Sequence, residues 1–160
     1  MHQPRTTRID PGDPSHGTHL AHGWSAPETR PDGSTAVLML EPVSALTFAA
    51  GAVPSEQEIA IRVSDVRAPT LVDLNGRRIG RLPLRRMTRR VSTTTVLRLP
   101  ANVQRPGINT LTLRSARRRG HGRGAPWLLL HDVTFTARQA EPILAETDAT
   151  SGDLVLRPGA

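Results

Sequence analysis

Four stretches decide the fold: VDLNGRRIGRL (72–82), TTTVLRLP (93–100), PGINTLTLRS (106–115) and PWLLLHDVTFTA (126–137). Each alternates apolar and polar residues, the period of a strand with one buried face. The first carries Asn75-Gly76, the strongest short-range hairpin signal. A two-residue turn needs positive φ at both central positions, and Asn and Gly adopt it most readily. Working outward, residues 35–40, 45–50 and 58–64 add three more short apolar runs. In 58–64, Ile59, Ile61 and Val63 share one face, with Glu58, Ala60 and Arg62 on the other. About eight to nine short strands at close spacing, with little helix, predict an all-β antiparallel sandwich of the jelly-roll kind.

The ends are different. Residues 1–22 are rich in Pro, Gly, His, Asp and Arg without periodicity, and are expected to form a disordered or draped N-terminal arm. Residues 23–138 make the sandwich domain. Residues 139–160 form a C-terminal extension, more acidic and helical at first, with 154–156 as a possible edge strand. At 160 residues this is one domain's worth of chain. With two Trp, two Phe and no Tyr, the core must be built from Val, Leu, Ile and Ala. Few aromatics remain to make a stacking platform for sugars or bases.

All 21 basic residues are Arg, giving a net charge of +7. Arg, Ala, Gly and Pro share GC-rich codons, so the charge reads first as a composition effect. It still favours acidic partners. Cysteine is absent, which excludes disulfides, a thiolate nucleophile and a Cys-type zinc site. The N-terminal residues contain no apolar leader and no apolar run reaches membrane-spanning length, so a cytoplasmic location is expected.

The run from Gly33 to Ala137 resembles the galactose-binding-like jelly roll, and in particular the C-terminal domain of rhamnogalacturonan lyases. A strand of form v-x-v-N-G-x-x-i-G is matched by Val72 to Gly80, and G-x-N-T-L-x-L by Gly107 to Leu113. The closing strand with its aromatic, acidic and alternating apolar positions is matched by Trp127 to Phe135, with Asp132 in the acidic slot. Gly23-Trp24-Ser25, Pro27 and Glu28 also look like the G-W-x-x-P-E opening of sandwich modules in bacterial glycosyltransferase-associated proteins. The resemblance implies a non-catalytic carbohydrate-binding or accessory module in polysaccharide metabolism. A protein–protein adaptor, or a polyanion binder acting through Arg-rich loops, are the alternatives. The fold alone does not choose among them.

In such folds ligands meet the loops at one end. The candidates there are Trp24, Glu28, Asp32, Arg85, Arg86, Arg89, His121, Arg123 and Trp127. Trp can stack on a pyranose while Arg and carboxylates bind hydroxyls. Trp127 equally suits core packing. Residues 114–123, with Arg85, Arg86, Arg89 and Arg90, form either a cationic patch or solvated loops, and no aromatic interleaves them. His16, His19 and His22 at spacing three are weak metal candidates without an acidic partner.

Strict alternation puts Leu128, Leu130, Asp132 and Thr134 on one face and Leu129, His131, Val133 and Phe135 on the other. His131 and Asp132 then cannot form a dyad, and Asp132 on an apolar face needs a donor such as Arg. No nucleophile elbow, phosphate loop or HExxH is present, so no enzyme is expected. No cofactor is expected. The expected partner is a glycan or polysaccharide, acidic ones included, with a protein partner as the alternative and no specific nucleic acid.

Overall fold

A computed structural model describes residues 6–84, 91–116, 122 and 125–138. Among these are eleven strands: β1 Thr6–Ile9, β2 Leu20–His22, β3 Glu28–Thr29, β4 Thr35–Leu38, β5 Val43–Ala50, β6 Gln57–Ser64, β7 Thr70–Leu74, β8 Arg77–Leu82, β9 Thr93–Leu99, β10 Gly107–Ser115 and β11 Leu129–Ala137. They form two antiparallel sheets. One has the order β3-β4-β11-β6-β9, with β1 also on β11, and the other β2-β5-β10-β7-β8. The all-β antiparallel sandwich expected from the patterning is what forms. No helix among the described residues is long and apolar enough to cross a membrane.

The Asn75-Gly76 hairpin forms as the sequence dictates, with φ of 48° and 85° joining β7 to β8. Asn75 does more than turn the chain. Its Nδ2 donates to Val103 O and to Asn109 Oδ1, and its Oδ1 accepts from Thr110 N. Asn109, fully buried, accepts from Arg105 N and donates to the Arg105 and Gly107 carbonyls. The turn and the entry into β10 are therefore one hydrogen-bonded unit, which satisfies backbone groups that the core would otherwise leave unpaired.

Between the sheets lie Leu46, Phe48, Val72, Leu74, Leu111 and Leu113 from one side and Ile59, Ile61, Val63, Leu130, Val133 and Phe135 from the other. The Phe48 and Phe135 rings meet across the sandwich at 4.5 Å between centroids. At Gly80 a Cβ would lie 2.5 Å from Leu97 Cδ2, so a larger residue there would oblige the Leu97 side chain to shift.

The reading of 1–22 as an arm needs correction for residues 6–22. β1 pairs with β11 along Thr6↔Thr136 to Ile9↔Val133, and Ile9 is buried in the core. The physical reason is an open edge: β4 covers only Leu129 and Leu130 of β11, and β1 supplies partners for Val133 to Thr136. β2 joins the second sheet through Leu46 and Ala45. The proposed helical stretch after residue 138 and the edge strand at 154–156 lie outside the described residues.

Strict alternation also fails in β11. Leu130 pairs with Val63 but Asp132 pairs with Arg62, so His131 is one extra residue, a β-bulge. The bulge shifts the phase. Leu128, Leu130, Val133 and Phe135 all reach the core, while Asp132 faces outward beside Arg62. Asp132 is thus not on an apolar face, although its expected Arg donor is present.

The Phe pair joins the two sheets within the core, so Phe135→Ala should cost about 3–5 kcal/mol, as large aromatic truncations do. Denaturant unfolding checks this; a loss below about 1 kcal/mol would mean that the two sheets do not depend on that contact.

Candidate functional site

A hollow of about 520 Å³ opens on the outer side of the six-stranded sheet. Among the described residues, its walls come from four places in the chain. The β3–β4 turn gives Arg30, Pro31, Asp32 and Ser34; β6 gives Arg62 and Ser64; Ser92 stands before β9; His131 comes from the bulge in β11. Alternation in β6 explains why Arg62 and Ser64 point here, since the alternate residues Ile61 and Val63 are buried in the core. Asp65, at φ 51°, turns the chain away directly after Ser64.

The bulge brings His131 to the same side. Its Nε2 lies 2.8 Å from Ser64 Oγ, and its Nδ1 is buried without a hydrogen-bond partner among the described residues. Burial lowers the His131 pKa below its ordinary value, and the Arg62 charge adds to this; Asp132 opposes it, Arg30 lowers it further and Asp32 raises it. The imidazole is therefore neutral at neutral pH.

Arg62 is fixed from behind. Its Nε and Nη2 donate to Asp132 Oδ2 at 2.9 and 2.6 Å, and Arg8 Nη2 from β1 donates to the same oxygen at 3.0 Å. Asp132 thus holds the guanidinium that lines the hollow. Arg30 has no ion-pair partner among the described residues. Asp32 Oδ1 accepts from Ser34 N and Ser34 Oγ, and these bonds hold its carboxyl below the usual range. The hollow offers guanidinium donors, serine hydroxyls and one exposed carboxylate, with no Trp or Phe in its walls.

The expected site residues divide. Asp32 lines the hollow. Glu28 is exposed on β3 but is not among the lining residues. Trp127 is 6% exposed and packs in the core, so its ring is not open to a sugar. Trp24 is partly buried against the core, with its Nε1 donating to Ala45 O, and is not among the described residues that line the hollow. Arg85, Arg86, Arg89, Arg90, His121 and Arg123 lie outside the described residues, while Arg114 pairs with Asp73.

Among the weak metal candidates, His16 Nδ1 accepts from Asp10 N and His19 Nδ1 meets Thr47 O. His22 is exposed on β2. No group of three or more potential ligands is gathered for a metal among the described residues. Arg30, Arg62, Ser34, Ser64, Ser92 and His131 escaped the sequence as site residues because only the tertiary fold brings them together. The one available signal was Arg62 and Ser64 on the polar side of a cleanly alternating strand.

Because folding keeps His131 neutral, the unfolded chain binds more protons below pH 6.5, its ordinary pKa. Its contribution to stability is complete above that value and is lost as pH falls through the lower folded value. Thermal melts across about pH 5 to 7 should show stability rising with pH, and His131→Gln should flatten part of that rise. An unchanged profile in the variant would contradict the assignment.

No family model matches the chain, and no curated protein matches it in sequence. Solved structures do share its fold. A family 35 carbohydrate binding module from an environmental isolate superposes with TM-score 0.57 at 11% identity, over 82% of this chain and 93% of that one. A family 35 module from Clostridium thermocellum gives 0.55 at 12% identity, over 82% and 98%. The Podospora anserina GH26-CBM35 β-(1,4)-mannanase gives 0.56 at 16% identity over 86% of this chain, which spans 29% of that protein. The chain therefore has the β-sandwich fold found in carbohydrate-binding modules.

Proposed function

We propose that this chain is a non-catalytic glycan-binding or accessory module in polysaccharide metabolism, and that the hollow beneath the β3–β4 turn receives an acidic glycan. The observation that carries this reading is the wall itself: Arg30 and Arg62 beside the hydroxyls of Ser34, Ser64 and Ser92 and the carboxylate of Asp32. Arg presents planar donors suited to carboxylates, while hydroxyls and Asp suit sugar hydroxyls. Arg62 already shares its charge with Asp132, so Arg30 is the guanidinium open to a ligand anion. The volume falls within the range of small-molecule sites. The fold shared with the family 35 modules supports the same reading.

The site favours binding over hydrolysis. Ser64 and His131 make the first contact of a Ser–His pair, but a working pair also needs a third group that orients the second ring nitrogen. His131 Nδ1 has no such group among the described residues.

A glycan array with neutral and acidic members should show selective binding to acidic glycans that persists at physiological salt. Arg30→Ala should weaken it at least about tenfold, the loss expected for one charge-assisted hydrogen bond. Binding seen only at low salt, or unaffected by Arg30→Ala, would overturn the assignment to this hollow.

A further inference from the structure

We infer that Ser64 is a dedicated hydrogen-bond donor to the bound glycan, and that His131 is the positioning residue that makes it one. This rests on the hollow's being the glycan site. His131 is 7% exposed, and its two ring nitrogens meet different surroundings. Nε2 lies 2.8 Å from Ser64 Oγ, whereas Nδ1 has no partner among the described residues. A neutral imidazole has one proton to place on one of these two atoms.

The two placements differ in consequence. With the proton on Nδ1, a buried N–H is left unpaired, which costs about 1–3 kcal/mol. Ser64 would then donate to Nε2 and show the hollow only lone pairs. With the proton on Nε2, the ring donates to Ser64 Oγ, and only a lone pair at Nδ1 is left bare. Orphaned buried donors are rarer in proteins than under-used acceptors, which selects the second placement. The charged groups around the ring agree with it. Arg62 on β6 and Arg30 on the β3–β4 turn disfavour a second ring proton, and Asp132 on β11 is held by Arg62 and Arg8 rather than by the imidazole.

Once Ser64 Oγ accepts from the ring, its own proton is free. Ser64 lines the hollow, so the proton has an acceptor there when a ligand arrives. Ser64 then acts with Arg30 and Arg62 as a donor, and the part of the glycan seated on them must offer acceptor oxygens. A carboxylate, which accepts only, meets that condition without competition from a proton of its own. The same polarity makes Ser64 a poor nucleophile, since its neighbour is not placed to take its proton.

Nitrogen-15 NMR of the imidazoles in the intact chain, above the titration of His131, reads the tautomer directly. The expected result is a protonated Nε2 and a bare Nδ1. A proton on Nδ1 would overturn the inference whether or not a glycan binds. On the same glycan array, Ser64→Ala should lose about tenfold in affinity, while Ser64→Thr, which keeps the hydroxyl, stays within about threefold. Thermal melts of both variants verify folding. If the wild-type chain binds acidic glycans and Ser64→Ala binds them equally, the Ser64 role alone fails. If the wild-type chain binds no glycan, the reading of the hollow fails and the donor role falls with it.

Discussion

One extra residue in β11 is the constraint on which both the core and the site depend. A regular strand would have to choose between burying the residues around Leu130 and burying those around Val133. The bulge at His131 removes the choice. Leu128 and Leu130 enter the core before it, and Val133 and Phe135 enter after it. The residues at the change of phase are left to the outer surface, where His131 meets Ser64 and Asp132 meets Arg62. Bulges recur beside functional sites because they re-aim side chains without ending the sheet. Here the bulged strand is also the central one of its sheet, flanked by β6 on one edge and by β4 and β1 on the other.

The arginines are organised around a few carboxylates. Asp132 is shared by Arg8 and Arg62, Asp73 by Arg78 and Arg114, and Glu56 by Arg98 and Arg138. The first two groups each tie three strands together, and the third joins β9 to the residues that flank β6 and β11. A composition with Arg as its only basic residue type suits this, because the planar guanidinium holds a carboxylate in a fixed orientation better than an ammonium does. Six of the described arginines are thus held by carboxylates, whereas Arg30, in the wall of the hollow, has no ion pair among the described residues.

The hairpin at Asn75-Gly76, the alternation of β6 and the entry of β10 at Gly107 were legible because each signal is local and lies within a few residues. Other features depend on distant partners. β1 is a four-residue strand with no pattern of its own, and it forms because β11 has an unpaired edge 120 or more residues away in the chain. A bulge changes register by one residue and leaves no compositional trace, so the faces assigned to Asp132 and Val133 came out exchanged. Residue type offers Trp24 as a ligand contact and leaves Trp127 open between ligand contact and core packing; in the fold Trp127 is in the core and Trp24 packs against it. The candidate site was the least legible part. Asp32 could be named, whereas Arg30, Arg62, Ser64, Ser92 and His131 acquire their meaning only from convergence.

The central claim is that the surface shaped by the bulge is where a glycan is held. Amide shift mapping of the isotopically labelled chain, titrated with an acidic oligosaccharide, tests it most directly. The account predicts saturable changes concentrated at residues 30–34, 62–64, 92 and 131. Saturable changes confined to the other sheet, or to the loop between β10 and β11, would contradict it.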